Sequence, residues 1–496
     1  MRKSLFFLAI VFFQSIGLLA QETPDSLNVE MDDYAYVVPS DTMLAMLTDS
    51  VLDYEEFIYW VRMNHPVAKI ADLEVEMARR ELRQSRGGFD PMLYGNYRSK
   101  DYKETEYYDA LQAGVEIPTW MGVSVQAGYE ENRGAFLNPE ATVPETGLIN
   151  AGLTAQIGSG LLMDDRRAAL RQAQIGIEIG ENQRQIIANQ LYLEATTAYF
   201  NWSFALQRLD IAEEALELAN IRYEGVRESF FLGDEPAIDT VEAYTQVLSR
   251  LFNLYEAQNF YVEAINFASI YLWDEESNPV LLPPEIRPIR PEDFPSENIV
   301  VPMTISITHP EVLKLLFKRE VLDIDRRLAA EYLRPKIELK YNFLSENAFS
   351  NDVDDTFFEN TRFFENDYNF GAKVTFPLFL REARGKVGLT KIKIDMTERE
   401  VENKRAQLDA KLTSGLVKLQ NLREQIQIFR QNVGLFEVLL NGERELFRIG
   451  ESSLFLINAR ETKLIESRVK LFELIAKEKV LAAEIRTLGG LGFPNQ

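Results

Sequence analysis

Two stretches of the chain are unusually long, free of proline and helical in character. The first runs from Asp164 to Phe231 and the second from Arg381 to Phe447. At 1.5 Å per residue, a continuous helix of either length measures about 100 Å. Helices this long with mixed charge do not stand alone in water, because their apolar stripes need neighbours to cover them. The sequence therefore predicts a fold built on helices that pack lengthwise.

A glycine ends each long stretch, and a shorter helical stretch follows it. The glycines are Gly233 and Gly450, and the following helices are predicted over residues 236–274 and 453–488. Glycine at such a place is typical of a helix stop with a sharp reversal. Each half also has an earlier helix of about 24 residues, so two short helices laid end to end match one long helix. We expect each half to form such a pair.

Two landmarks indicate that the chain contains an internal repeat. His65-Pro66 and His309-Pro310 lie 244 residues apart, and Pro91 and Pro335 are separated by the same 244 residues. In both places His-Pro opens a helix and the later proline starts an alternating strand. We predict two structural repeats, residues 52–275 and 309–489. The two histidines are interpreted as structural residues at helix starts.

Alternating segments predict strands with one apolar and one polar face. They lie at about 91–102, 108–117, 122–130 and 148–158 in the first repeat, and at about 335–344 and 367–377 in the second. A period of two separates apolar from polar side chains across a strand. One interpretation is a transmembrane antiparallel β-barrel, favoured by the strand lengths and by tyrosines near strand ends. The other is a soluble sheet packed on a core.

The first half is 27 residues longer than the second between its proline and its glycine. Residues 107–130 account for this excess, because they contain two further alternating runs joined by a turn around Trp120. A tryptophan at a strand end suits a membrane interface. The insertion is either two extra barrel strands, giving six strands instead of four, or a hairpin outside the barrel.

Segments outside the repeats predict the compartment. Residues 1–20 have the charged start, apolar run and small residue of a signal peptide, and residues 21–51 form an acidic, flexible leader. No other stretch is apolar for long enough to predict a transmembrane helix. Residues 276–308 are expected to be a proline-rich linker, and residues 490–496 a tail. The protein is thus predicted to be exported.

Composition excludes several classes of function. The 77 acidic residues against 53 basic ones give a net charge of −24, which argues against nucleic acid as a partner. The chain has no cysteine and only two histidines, which leaves little for a metal site or a catalytic triad. The acidic run Asn351–Asp355 lacks the glycine and ligand spacing of a calcium loop, so a solvated external loop is the better interpretation. We expect no enzyme activity, no cofactor and no metal.

Taken together, these features resemble the TolC-type outer-membrane efflux proteins. The resemblance is carried by the duplicated His-Pro unit, the Phe376-Pro377-Leu378-Phe379 turn into a long helix, and the two glycine hairpins. It implies a homotrimer whose protomers share one barrel in the outer-membrane lipid and one long periplasmic α-helical coiled-coil barrel. It also implies an exit duct of a tripartite efflux or secretion system, driven by an inner-membrane pump through a periplasmic adaptor (a membrane fusion protein).

Two features depart from this family, and one alternative stays open. The second hairpin has Leu456 where the first has the acidic Asp239, and the family usually has two strands per repeat. The alternative function is a soluble periplasmic coiled-coil adaptor or structural protein without a channel. Alternating strands beside both long helices count against it.

The two hairpin tips are the predicted functional sites. Small or apolar residues follow each glycine, and at an exposed turn these suggest a docking surface for the adaptor. The predicted docking residues are Gly233, Ala237, Ile238, Asp239, Gly450, Ser453 and Leu454. Asp239 has a simpler role open to it, since a carboxylate at a helix start favours the helix dipole.

Charge at the two tips is expected to differ. From Arg227 to Glu242 one arginine faces five carboxylates, a net charge of −4. From Glu443 to Glu461 three arginines face four carboxylates, a net charge of −1. The residues expected to charge the entrance are Asp234, Glu235 and Glu451. Solvated helix ends are the alternative interpretation.

Overall fold

The computed structural model describes residues 51–233, 235–283, 285–295, 305–345 and 367–493. All of them belong to one unit, residues 40–496. The expected signal peptide, nearly all of the leader, Asp234 and the run Asn351–Asp355 lie outside the described residues. The mixture of helices and strands expected from the sequence is confirmed.

Helices make up most of the described part of the chain. Two of them are 68 residues long each. The helices are α1 (Tyr54–Asn64), α2 (Pro66–Arg86), α3 (Asp165–Leu232), α4 (Ala237–Ser269), α5 (Ile305–Thr308), α6 (Pro310–Glu331), α7 (Arg381–Arg448) and α8 (Leu454–Leu488). None of these helices combines the length and the apolar character needed to cross a membrane.

The helices pack side by side as four rods. Helices α2 and α4 both pack along α3, and α6 and α8 both pack along α7. Helices α6 and α8 also pack on α3, which places them between the two long helices. The order of rods is therefore α2 with α4, then α3, then α6 with α8, then α7. Each half has the arrangement expected from helix length, two short helices beside one long one.

Both histidines cap helices in the same way. His65 precedes α2 and His309 precedes α6, each in extended backbone with Pro at the first helical position. The Nδ1 of His65 accepts a hydrogen bond from the backbone N–H of Val67 at 3.2 Å, and that of His309 accepts one from Glu311 at 3.2 Å. A capping acceptor satisfies one of the free N–H groups at a helix start. This geometry agrees with the structural role expected for both residues.

Acid is expected to destabilise the helical part through these caps. Burial lowers the pKa of both imidazoles below the ordinary 6.5, against smaller opposing effects of Glu194 and Glu311. The unfolded chain therefore binds protons that the folded chain does not, so this stability is present above about pH 6.5 and is lost below it. The double variant His65→Asn, His309→Asn keeps a capping oxygen and cannot titrate. Its melting temperature should fall less between pH 7.5 and pH 5 than that of the wild type; equal falls would contradict the prediction.

Six strands form one antiparallel sheet. They are β2 (Met92–Tyr102), β3 (Thr105–Pro118), β4 (Val123–Arg133), β5 (Leu148–Gly158), β7 (Lys336–Ser345) and β8 (Tyr368–Thr375). The order in the sheet is β2-β3-β4-β5-β7-β8, and β5 pairs with β7 to join the two halves of the chain. A separate two-residue pair, β1 (Val51–Leu52) and β6 (Arg287–Pro288), is parallel.

The inserted hairpin belongs to this sheet. Strand β3 pairs with β2 along its length, and β4 pairs with β5. The insertion thus lies inside the sheet rather than at an edge or outside it. The sheet of the described residues therefore has six strands.

The main core lies where α1, α3 and α4 meet. Phe57, Val61 and Trp202 are fully buried there. The Tyr199 hydroxyl donates to the backbone oxygen of Leu52 at 2.8 Å and accepts from the N–H of Ile289 at 3.0 Å. The proline-rich linker contributes to this core through three buried side chains, Val280, Leu282 and Ile286. This part of the linker is therefore packed structure rather than a free connection.

Candidate functional site

The first tip joins α3 to α4 through a left-handed glycine. Gly233 has φ +86°, and its N–H donates to the carbonyl of Phe230 at 3.0 Å. Phe231, Leu232 and Ile238 are exposed around it. Asp239 lies in the first turn of α4, where a carboxylate faces the positive end of the helix dipole. The tip thus presents apolar side chains to its surroundings on a glycine-shaped turn.

The second tip joins α7 to α8 in a similar way. Gly450 has φ +80°, and its N–H donates to the carbonyl of Phe447 at 3.0 Å. The N–H of Glu451 reaches back to the carbonyl of Leu446 at 2.9 Å, which closes the helix end as in a Schellman turn. Ser453 caps α8 with its side chain. The exposed apolar residues of this tip are Ile449, Phe455 and Leu456.

One predicted docking residue is not exposed. Leu454 is only 3% exposed and packs in a cluster with Val226 of α3 and Ala243 of α4. The expectation that it lies free on the tip surface is therefore wrong, because the first hairpin covers it. Its neighbour Phe455 is 66% exposed. Leu454 therefore joins the two tips to each other.

A buried polar group lies behind this apolar contact. Arg222 of α3 forms an ion pair with Glu461 of α8 and donates to the Asn458 side chain at 2.7 Å. Asn458 in turn donates to Glu242 of α4 at 3.2 Å. Arg250 of α4 donates to the Thr462 hydroxyl of α8 at 2.8 Å, and burial lowers its pKa. These bonds tie the two hairpins together close to their tips.

The sequence interpretation missed this group. A signal for it was present, since Asn458 and Glu461 share a helical face with Leu454, Ile457 and Leu464, which are apolar and buried. Polar residues on an apolar face need partners when buried. Which residues supply them depends on the packing of α3 against α8, which one sequence does not reveal.

The carboxylates expected at the entrance have different surroundings. Glu451 is exposed, Glu235 is half-buried, and Asp234 lies outside the described residues. Glu443 accepts a hydrogen bond from Ser452 at 2.5 Å and lies 3.5 Å from Arg460. Part of the acidic charge near the tips is therefore held in contacts between helices. In the described ranges no group of three or more histidine, aspartate or glutamate residues is placed to hold a metal ion.

One face of the six-stranded sheet is apolar across all of its strands. The register aligns Ile117, Val125, Leu153, Tyr341 and Phe370 in one row across five strands. A second row crosses all six strands and consists of Leu93, Val115, Ala127, Ala151, Phe343 and Tyr368. Val125 and Leu153 are 42% and 51% exposed, and no helix in the described residues covers this face. The inserted strands continue the apolar face without a break.

The opposite face is polar and has its own contacts between strands. Gln126 of β4 donates to Asn342 of β7 across Gly152 of β5, whose missing side chain leaves room for the bond. A Cβ at Gly114 would lie 2.6 Å from the Tyr94 hydroxyl, so Tyr94 extends from β2 over a glycine of the insertion. Charged side chains on this face include Glu116, Glu130, Lys336, Glu338, Lys340 and Lys373. The face is suited to contact with water.

The two outer rods carry apolar side chains that are about half-exposed or more. On α2 and α4 these are Ile70, Leu73, Met77, Val241, Tyr244, Leu248, Phe252, Tyr255 and Val262. On α7 they are Leu389, Ile392, Met396, Ile428, Leu435 and Val438. Their spacing of three, four and seven is that of a seam between packed helices. Both ends of the row of rods therefore present an apolar seam.

Comparison with known proteins supports the fold. No protein-family profile and no curated protein sequence matches the chain. Among solved structures, the CmeC outer membrane channel of Campylobacter jejuni is similar with a TM-score of 0.62 at 16% identity, over 88% of this chain and 85% of that one. The outer membrane protein VceC of Vibrio cholerae gives a TM-score of 0.61 at 13% identity, over 88% and 96% of the two chains. The MtrE outer membrane channel of Neisseria gonorrhoeae gives 0.63 at 13% identity, over 89% and 90%.

The likeness extends over nearly the whole length of these chains. The TM-scores and coverages show a shared fold, and identities this low show no more than the fold. The resemblance to TolC-type proteins is confirmed at that level. Two of the three structures are described as outer membrane channels, and none as an enzyme.

Proposed function

We propose that this protein is an outer-membrane channel of the TolC type, the exit duct of a tripartite efflux or secretion system. Three copies supply strands to one barrel in the outer membrane and helices to one tunnel in the periplasm. An inner-membrane pump delivers cargo through a periplasmic adaptor, which docks at the tips. On this proposal, the chain is a member of the TolC-type family and has the two-repeat organisation expected from its sequence.

The uncovered apolar face of the sheet is the observation that carries the proposal. In water such a face would be covered by a second layer, because an exposed apolar patch this wide promotes association. Lipid covers it without a second layer, and the polar face then lines an aqueous lumen. Strands of 8–14 residues are suited to crossing the hydrocarbon core of a membrane.

The exposed outer rods of the helical layer and the unpaired edge strands of the sheet are consistent with a ring of copies. The outer rods are α2 with α4 at one end and α7 at the other. The edge strands are β2, which follows α2, and β8, which precedes α7. One neighbouring copy can therefore cover an apolar seam and pair with a strand edge on the same side. Closing the sheet in this way removes free edges, which a lipid environment does not tolerate.

Fractionation tests the proposal against the soluble adaptor. The expressed protein should be found with outer membranes, resist washing with carbonate or high salt, and be released by detergent as a trimer. A soluble adaptor would wash off without detergent. Release by washing, or a monomer in every mild detergent tested, would contradict the proposed channel.

A further inference from the structure

We propose that the inserted hairpin, β3 with β4, gives each copy six membrane strands, so that three copies close a wide barrel of eighteen strands. The proposal rests on the trimeric channel proposed above. It adds the number of membrane strands in each copy and the width of the membrane lumen. Cargo passing through the membrane part would then meet a wide aqueous passage.

The register of the insertion is the first argument. A slip of one residue turns every side chain to the other face of a sheet. Strands β3 and β4 nevertheless keep their apolar residues in the rows of β5 and β7, as the row from Ile117 to Phe370 shows. They also keep polar residues opposite polar ones, as with Ser124 and Thr154. A hairpin exposed to water would not require its apolar residues to align with the apolar face of the sheet.

The glycines of the insertion are the second argument. Gly114 and Gly128 are paired directly, and a Cβ at either would approach the Tyr94 hydroxyl to 2.6 or 3.1 Å. These small residues let an aromatic ring of β2 lie flat along the polar face. The hairpin is therefore fitted to its neighbour β2. Such a fit is expected of strands that stay in the sheet.

Closure by further copies is the third argument. The six strands alternate in direction, so β2 of one copy can pair antiparallel with β8 of the next. Eighteen strands spaced about 4.8 Å apart and tilted about 40° give a circumference of about 110 Å. Four rods per copy make twelve rods around the helical ring, and at about 9.5 Å between axes these also give about 110 Å. The two rings match in size, so the passage does not narrow where the helices meet the strands.

Cysteine labelling tests the position of the hairpin, and the chain has no cysteine of its own. On the hairpin, Val123→Cys and Val125→Cys should react with lipid-soluble probes and resist aqueous ones, while Ser124→Cys should react with aqueous ones. The matched references are Leu153→Cys and Thr154→Cys on β5, which are cross-strand partners of Val125 and Ser124.

The outcomes separate this proposal from the proposed function. If the β5 references show the lipid and aqueous pattern while all three hairpin cysteines react with aqueous probes, the hairpin lies outside the barrel and the eighteen-stranded ring is wrong. The channel itself would still stand. If Leu153→Cys also reacts with aqueous probes, the membrane sheet and the proposed function both fail.

Polymer access tests the width. Maleimide-linked polyethylene glycols of graded size, added to intact cells from outside, should reach Thr154→Cys in the full chain. Deleting residues 105–133 leaves four strands per copy, and the diameter of a barrel grows roughly linearly with strand number. The size limit should then fall to about two-thirds in diameter. An equal limit in both chains would overturn the proposal, and if the shortened chain does not reach the membrane, the labelling pattern decides alone.

Discussion

Leucine in place of Gly233 and Gly450 is expected to weaken export and adaptor cross-linking strongly, while trimer formation and membrane insertion continue. Both glycines have positive φ, +86° and +80°, and a Cβ at either would meet nothing within 4 Å. The effect is therefore backbone strain rather than a clash, at about 1–2 kcal/mol for each residue. Relief of that strain reshapes the turn that carries the docking side chains. Each tip should lose roughly tenfold in adaptor affinity.

Matched glycines elsewhere in the same helices separate turn geometry from side-chain bulk. Gly225 of α3 and Gly442 of α7 also have open space around them, but neither has positive φ. Leucine at those positions should leave export unchanged. Asparagine at Gly233 or Gly450 should recover part of the docking, because it tolerates the left-handed region better than leucine does. Adaptor cross-linking yield is measured beside trimer yield on the same samples. Normal cross-linking and export in both leucine variants would place docking along the tunnel wall instead.

Local sequence signals account for much of the fold. The strand predicted at 148–158 is observed at Leu148–Gly158, and the helix predicted at 164–231 is observed at Asp165–Leu232. Both depend on periodicity and on glycine or proline at the ends, which are properties of neighbouring residues. Helix α1 is not among the helices predicted from the sequence, although Asp53 caps it and Phe57 and Val61 form its buried face. A helix of 11 residues gives a weak periodic signal.

Features that depend on contacts between distant segments could not be predicted from the sequence. Alternation in residues 107–130 is the same for a strand inside the sheet and for a hairpin outside it. Only the pairing of β3 with β2 and of β4 with β5 distinguishes the two. Leu454 was expected to be exposed for a similar reason. Its position after Gly450 is visible in the sequence, but Val226 and Ala243, which cover it, lie more than 200 residues away along the chain.

The ion pair between Arg222 and Glu461 predicts a second large effect. Glu461 is 3% exposed, and its Oε1 has no hydrogen-bond partner among the described residues. Glu461→Leu would leave the Arg222 guanidinium largely buried without its carboxylate. Breaking a buried pair by removing one partner typically costs about 3–5 kcal/mol. Because Arg222 keeps some contact with solvent, the lower end applies, and the contact between the two hairpins should open roughly a hundredfold more often.

Hydrogen exchange at the tip can measure this opening directly. Amides of residues 454–464 should exchange faster in Glu461→Leu, while amides at the far end of α8 should be unchanged. Arg468 and Glu437 form a matched control pair on α8 and α7, and both side chains are more than 30% exposed. Glu437→Leu should therefore cost less than about 1 kcal/mol. Adding Arg222→Met to Glu461→Leu removes the unpaired charge and should restore most of the protection. If the single and double variants exchange at the same rate, the contact opens because the packing of Glu461 is lost and not because the Arg222 charge is unpaired. That result would mean that the ion pair does not hold the two tips together.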